Sequence, residues 1–404
     1  MIVGENIGSV CSAGKEIQRV FSKGKLVWGK PIDYIIRPFT VKATRDGVSV
    51  ALRNLNDAVI KYSINGGEWK EAVGNVSIDG LTIAELNKND TVSITTTDTI
   101  NCFIYGNTAD VYGNIMSLMY GDDFIDKTVW IKANTSYIND SGIGFFGGSA
   151  DGSSVGSSIV NAENLILPAT SLTTGCYASM FANCQGLKKA PKLPATSLTT
   201  GCYAYMFARC NKLNTHPELP ATSLASYCYY NMFSRSGVLS APELPATTLA
   251  PNCYAGMYRA SMLNVAPKLP ATTLADGCYY YMFLACENLF TAPELPATTL
   301  APNCYKEMFS SCSRLTTAPE LPATTMVEGC YDRMFQYCYM LDYVICYATS
   351  YSAETYMSEC VESMLYYAAH GTENHGGTFR CKKINGKNLW EMYLPDIWWC
   401  SYMD

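Results

Sequence analysis

The stretch Cys304-Tyr-Lys-Glu-Met-Phe-Ser-Ser-Cys312 decides the fold, because it comes seven times in the chain with some letters fixed and others changing. Aligned on the first cysteine, the copies begin at Cys176, Cys202, Cys228, Cys253, Cys278, Cys304 and Cys330, and Met always follows four positions later, from Met180 to Met334. Eight positions on stands Cys184, Cys210, Cys286, Cys312 or Cys338, with Ser236 and Ser261 in the other two copies. Tyr at i+1 and Phe at i+5, replaced once by Tyr258, complete the fixed set. Positions i, i+4 and i+8 share one face of an α-helix, so the spacing predicts a short helix that buries these letters.

The Pro of a recurring Leu-Pro-Ala-Thr falls at 168, 194, 220, 245, 270, 296 and 322, in steps of 26, 26, 25, 25, 26 and 26. A fixed period in the twenties predicts a solenoid. Ordering one repeat alone costs on the order of 40 kcal/mol, at roughly 1.5 kcal/mol per residue, so stacking is obligatory. The segment 315–322, LTTAPELP, supplies a short extended strand with Leu315 and Leu321 inward, and Pro319, lacking a donor, keeps its ladder brief. Strands stack about 4.8 Å apart and helices about 8–10 Å, a mismatch that predicts an array curved with its strands inside. The fold class read from this is mixed α/β: a solenoid of seven repeats, each a short helix plus a short strand. The chain holds 18 cysteines, but helical spacing sets those within a repeat about 12 Å apart, too far for a bridge. They read as free thiols in a core.

Ahead of the repeats, residues 1–31 show brief apolar clusters between SAGK and SKGK, the pattern of a β-hairpin module. Residues 32–105 alternate apolar and polar letters, with Asn65-Gly66-Gly67 as a hairpin turn, and predict a small antiparallel sandwich-like domain. A glycine-rich transition and N-terminal cap at 106–165, the solenoid at 166–345 and a C-terminal cap at 346–404 complete the division.

Net charge -6 with 29 Lys and Arg offers no basic stripe, so nucleic acid and membrane surfaces are poor partners. The start MIVGENIGSVCSAG has neither a basic n-region nor an apolar h-region, so no Sec signal is expected, and no run long enough to span a bilayer appears. GIGFFG at 142–147 matches a dinucleotide fingerprint without its strand and helix and reads as a flexible turn. His370, His375 and Cys381, with Cys360 or Cys400, fit no zinc spacing, and Asp122, Asp123 and Asp126 lack the alternation of a calcium loop. No enzyme, cofactor or metal is expected.

The pattern C-Y-x-x-M-F-x-x-C-x-x-L-x-x-A-P-E-L-P-A-T-T-L resembles the leucine-rich repeats of BspA-like surface proteins of gut anaerobes and their phages. YSINGGEW (62–69), VYGNIMSLMYGDDF (111–124), AENLILPAT (162–170) and GGTFRCKK (376–383) resemble their flanking segments, and KEIQRVFSKGKLVWGK (15–30) is similar to N-terminal segments of tail-fibre-like phage proteins. The ending LWEMYLPDIWWCSYMD departs from that family. The resemblance implies a non-enzymatic phage virion protein, tail- or head-fibre-like. It would fold in the host cytoplasm, be extracellular after release, and contact other virion proteins through its N-terminal module. A homo-oligomer is compatible with this. The alternative is a bacterial cell-surface adhesin.

The host-surface protein or glycan would be met by the slots that change. At i+2, i+3, i+6 and i+7 these include Tyr205, Arg209, Tyr230, Asn231, Arg235, Arg259, Tyr280, Tyr281, Lys306, Glu307, Asp332, Arg333 and Tyr337. On a helical wheel they point away from the cysteine stripe. With 29 tyrosines, more than a core of this size needs, they read as a recognition face. The plainer reading is drift at exposed positions.

Overall fold

The computed structural model describes residues 7–12, 15–22, 25–26, 34, 36–53, 59–73, 81–97, 101–129, 144–352, 356–371 and 376–403. Strands β1 (Ile7–Ser12), β2 (Lys15–Ser22) and β3 (Lys25–Leu26) form an antiparallel three-stranded sheet.

The next eight strands are β4 (Phe39–Ala43), β5 (Val48–Arg53), β6 (Val59–Ile64), β7 (Lys70–Val73), β8 (Leu81–Leu86), β9 (Thr91–Thr96), β10 (Asn101–Gly106) and β11 (Ala109–Asn114). They divide into a sheet ordered β10-β5-β8 and a larger one containing β11-β4-β9-β6-β7. Phe39, Val41, Val92 and Ile94 of one sheet share a sealed core with Val48, Val50, Leu52 and Cys102 of the other. Asn65 and Gly66 turn β6 into β7 with φ of 52° and 71°, the double left-handed conformation that Asn-Gly tolerates best. After β11 comes α1 (Ser117–Tyr120), whose buried Ser117 hydroxyl accepts from Phe39 N–H at 2.8 Å and donates to Ile94 O at 2.9 Å. Strands β12 (Ile159–Asn161) and β13 (Leu165–Ile166) then pair parallel to β11, so the sandwich sheet leads directly into the solenoid.

The solenoid corrects the expected class. Among the described residues no repeat contains a helix; the short helix α2 (Met357–Val361) follows the last repeat. The architecture is strands, sheets and turns, not mixed α/β. Each cysteine-to-cysteine segment is a ribbon of tight turns with alternating hydrogen bonds. Ala178, Met180, Ala182 and Cys184 donate N–H three residues back, to Gly175, Tyr177, Ser179 and Phe181. The intervening Tyr177, Ser179, Phe181 and Asn183 donate to Cys202, Ala204, Met206 and Ala208 of the next coil, at 2.8–3.0 Å. Half the amides thus close local turns and half form a parallel ladder, which leaves none for the i to i−4 bonds of a helix. One residue in four has positive φ, for example Gly175, Ser179 and Asn183 in the first copy and Gly201, Tyr205 and Arg209 in the second. The ribbon therefore repeats every four residues. Three fixed letters spaced by four cannot separate that period from 3.6. Without helices, the spacing mismatch that predicted curvature loses its premise.

Period four places i, i+1, i+4 and i+5 on the inner side. Tyr177, Tyr203, Tyr229, Tyr254, Tyr279, Tyr305 and Tyr331 stack in one ladder, while Phe181, Phe207, Phe233, Tyr258, Phe283, Phe309 and Phe335 stack in a second. Much of the tyrosine excess is thus spent in the core. Tyr258 alone among the second ladder's members carries a hydroxyl, and that hydroxyl is buried without a partner among the described residues. Because an unsatisfied buried donor costs about 1–3 kcal/mol, Tyr258→Phe is expected to stabilise the protein by about 1 kcal/mol, read as a rise in the urea midpoint.

All 17 cysteines of known environment are free, and those of the repeats are buried. Burial pushes the thiols of Cys184, Cys253, Cys286 and Cys304 up to about 12, so they stay protonated. The second-slot thiols are also donors: Cys210, Cys286, Cys312 and Cys338 each reach a carbonyl of the preceding coil at 3.1 Å. The two 25-residue copies lack a residue between this slot and the next buried apolar position, Val238 or Leu263. Ser236 there turns to its own coil and donates to Phe233 O at 2.7 Å.

Within the two regions expected as caps, 106–165 and 346–404, the structure shows forms that the sequence did not specify. Residues 356–371 form an eighth coil, α2 followed by turns, that continues the ladder: Tyr331, Arg333, Phe335 and Tyr337 donate to Cys360, Glu362, Met364 and Tyr366. Residues 144–157 close the other end. Phe146 N–H donates to Met180 O, its ring packs 4.9 Å from Phe181, and a Cβ on Gly148 would lie 1.7 Å from Ala182 O. Gly144–Gly147 of GIGFFG is therefore a fixed capping turn; its first two residues lie outside the described ones.

On the opposite side the coils meet through single parallel bridges such as Ser197 with Ser223 and Thr291 with Thr317. Regular pairing comes at β14 (Thr325–Met326) with β16 (Ser350–Tyr351), and in a parallel sheet β15 (Tyr343–Cys346), β17 (Gly377–Cys381) and β18 (Trp398–Tyr402).

Candidate functional site

The slots singled out in the sequence lie on the outer side of the turn ribbon, but most are packed. Tyr205, Asn231 and Asp332 are buried, Arg235 is exposed, and Arg209, Tyr230, Arg259, Tyr280, Tyr281, Lys306, Glu307, Arg333 and Tyr337 are half-buried. The capping segment covers the first two copies: Arg209 Nε donates to Ala150 O at 2.7 Å, Asn183 Nδ2 to Ser154 O at 2.9 Å, and Ala150 packs with Ala178, Ala204, Tyr205 and Ala208.

Two groups form further along. In the first, the Tyr281 hydroxyl donates to Tyr230 Oη at 2.6 Å, Asn231 Nδ2 reaches Tyr281 Oη at 3.3 Å, and Arg259 lies over the Tyr281 ring at 5.9 Å. Gly256 makes this possible, since a Cβ there would meet Tyr281 at 2.2 Å and Asn231 Oδ1 at 2.4 Å. In the second, Lys306 Nζ pairs with Asp332 at 2.9 Å, and Arg333 stands 3.7 Å from Asp332, Glu307 and Glu362. Tyr337 stacks with Tyr367 of the eighth coil at 5.5 Å. These contacts tie coil to coil. Serine at Tyr205 or Tyr281 would remove structural contacts, not merely surface ones.

The open face is the other one. After each buried apolar residue (Leu187, Leu213, Val238, Leu263, Leu289, Leu315, Leu341) two exposed residues follow: Lys188-Lys189, Asn214-Thr215, Leu239-Ser240, Asn264-Val265, Phe290-Thr291, Thr316-Thr317 and Asp342-Tyr343. A third exposed slot reads Lys192, Glu218, Glu243, Lys268, Glu294 and Glu320. Clefts run between neighbouring coils here. One of about 490 Å³ is lined by Lys189, Pro191, Lys192, His216, Pro217 and Glu218, and another of about 280 Å³ by Val265, Phe290 and Pro293. Around the second, Leu239, Met262, Val265 and Phe290 are 45%, 51%, 62% and 45% exposed, an apolar patch flanked by Arg314, 4.5 Å from the Phe290 ring. A signal for this face is present in the sequence. The pair of letters after the buried Leu or Val differs in every copy, which a reading of the segment for its fixed letters alone passes over.

Of the alternative chemical readings, His375 lies outside the described residues, and no group of three or more metal-ligating side chains occurs among those described. Asp122 is engaged by Lys61 at 2.9 Å and Asp123 by Lys127 at 2.9 Å. No family model, no curated protein and no solved structure matches the chain.

Proposed function

We propose that this chain is a non-enzymatic phage virion protein of fibre type whose solenoid recognises a protein or glycan on the host cell surface through its cleft-bearing face. The observation that carries the reading is the contrast between the two layers of each repeat. Leu, Tyr, Phe, Met and Cys beneath are nearly invariant, while the exposed pair above differs in all seven copies. The third slot holds only Lys and Glu, as an inert solvated surface favours, but the varying pair includes Leu239, Val265, Phe290 and Tyr343, the residue types that anchor interfaces when buried by a partner. The resemblance to BspA-like repeats and to fibre N-termini supports the virion setting. No described helix is long and apolar enough to cross a membrane.

Combining Leu239→Ser, Val265→Ser and Phe290→Ser is expected to reduce adsorption to host cells at least about tenfold, as hot-spot loss above 1.4 kcal/mol implies, while stability changes by under about 0.5 kcal/mol per site. Unchanged adsorption would remove this face from the reading. Antibody labelling of washed particles tests the setting: label on bacterial cells and none on virions would overturn it.

A further inference from the structure

We propose that Cys381 and Cys400 are an oxidation site, at which a low-molecular-weight disulfide enters through Cys400 and leaves the pair joined as an intramolecular disulfide. The inference does not depend on the recognition reading. Strands β17 and β18 are parallel neighbours in which Phe379 is opposite Cys400 and Cys381 opposite Tyr402. Residues two apart on a strand share a face, so both thiols lie on the same side of the sheet as diagonal neighbours, and their sulfurs are 3.1 Å apart.

Access separates the two thiols. Cys400 is half-exposed while every other cysteine of known environment is buried, so a reagent in solution meets Cys400 first. Another close pair, Cys330 and Cys360, is fully buried between the seventh and eighth coils and has no such entry. The place also matters. Among the described residues β18 is the last strand of the order β15-β17-β18, and a bond between β17 and β18 would tie that strand to its neighbour.

With oxidised glutathione as the oxidant, the Cys400 thiolate attacks one sulfur of its S–S bond. A mixed disulfide forms and one glutathione thiolate leaves. Cys381, giving up its proton as it attacks, displaces the second glutathione from the Cys400 sulfur. The protein loses two protons and two electrons, and glutathione disulfide is reduced to two thiols. Burial holds the Cys381 thiol well above its ordinary range, which makes the second step the slower one.

The test treats reduced full-length protein with oxidised glutathione under native conditions, blocks the remaining thiols with iodoacetamide and maps the non-reduced tryptic peptides by mass spectrometry. The expected product is peptide 388–404 joined to the peptide carrying Cys381, with two hydrogens lost. In Cys381→Ser the reaction is expected to stop as a glutathione adduct on Cys400, and in Cys400→Ser both bridge and adduct at these positions are lost. The proposal is overturned if the wild-type chain keeps the adduct without closing, if Cys400 remains unmodified, or if bridging occurs instead between Cys330 and Cys360. Because the bridge is read directly in the wild-type protein, the test does not depend on either variant folding.

Discussion

Phe283→Ala is expected to lower the unfolding free energy by about 3–5 kcal/mol, the range typical of truncating a sealed aromatic ring. The ring is fully buried, stacked 5.8 Å from Tyr258 and 5.5 Å from Phe309 with interplanar angles of 5° and 9°. Its removal deletes two ring contacts and leaves a hole between coils whose backbones are fixed by their ladder. Phe283 N–H donates to Met308 O at 3.0 Å, so neighbouring coils cannot close on the space without breaking that ladder. In a solenoid each coil is stabilised through its nearest neighbours, so the damage is expected to be local at first. Hydrogen exchange is expected to accelerate most in residues 253–312, together with a lower urea midpoint. A midpoint shift below about 1 kcal/mol would mean that the aromatic ladder adds little beyond the backbone stack. Tyr258→Phe in the adjoining coil, with the opposite sign, keeps the two contributions apart: ring burial stabilises, while a stranded hydroxyl does not.

The period, the stacking and the inward identity of Cys, Tyr, Met, Phe and Leu were all legible in the sequence, because hydrophobic burial writes itself as recurrence. The helix was not, and the reason is specific. Cys304, Met308 and Cys312 fit a spacing of four as well as one of 3.6, and only backbone conformation separates them. The distinguishing letters were the ones that favour left-handed φ every fourth place: Gly175, Gly201, Asn252, Gly277, Asn303 and Gly329 just before the cysteine, and Asn231 and Gly256 four positions later. Elsewhere in the register Tyr205, Arg209, Glu307 and Arg333 adopt the same sign of φ, at a local cost of about 1–2 kcal/mol each that the inter-coil hydrogen bonds offset. Those side chains concealed the pattern. The eighth coil was hidden in the same way, since Cys360 and Met364 keep the spacing while Leu365 and Ala368 replace Phe and Cys.

The candidate site was legible only in part, because a helical wheel directs attention to the packed side of the ribbon. Variation from copy to copy marks freedom from the core, but on the ribbon it marks contacts between coils instead. Tyr230 and Tyr281 differ from Ala178 and Ala204 in chemistry, yet each is held by its neighbours. Exposure, which a sequence does not print, is what separates Phe290 from Tyr281. The four-residue period supplies the criterion that the helical wheel lacked.

Lys306 shows how much such an inter-coil contact holds. Its ammonium pairs at 2.9 Å with Asp332, whose side chain is 4% exposed and whose Oδ1 has no hydrogen-bond partner among the described residues. Lys306→Ala is expected to cost about 2–3 kcal/mol by stranding a buried carboxylate; Arg333 at 3.7 Å and the partial exposure of the site keep the loss below the roughly 3–5 typical of a sealed pair. Adding Asp332→Ala is expected to return most of that stability, because Ala178, Ala204 and Ala255 fill the equivalent slot in other copies and are buried there without strain. The double-mutant cycle checks this. If the double variant is as unstable as the single one, the loss is due to packing by the lysine stem instead of the stranded charge. Titration gives a second signature. Burial works against the lysine charge, but the hydrogen bond and charge of Asp332 outweigh it and raise the ammonium above its ordinary 10.5. A raised lysine contributes stability that is fully present below that ordinary value and is lost as pH rises through the folded one. The gap between wild type and Lys306→Ala is therefore expected to stay level through the neutral range and to narrow only in strong alkali. A gap that narrows already between pH 7 and 9 would show that a group other than this ammonium sustains the contact.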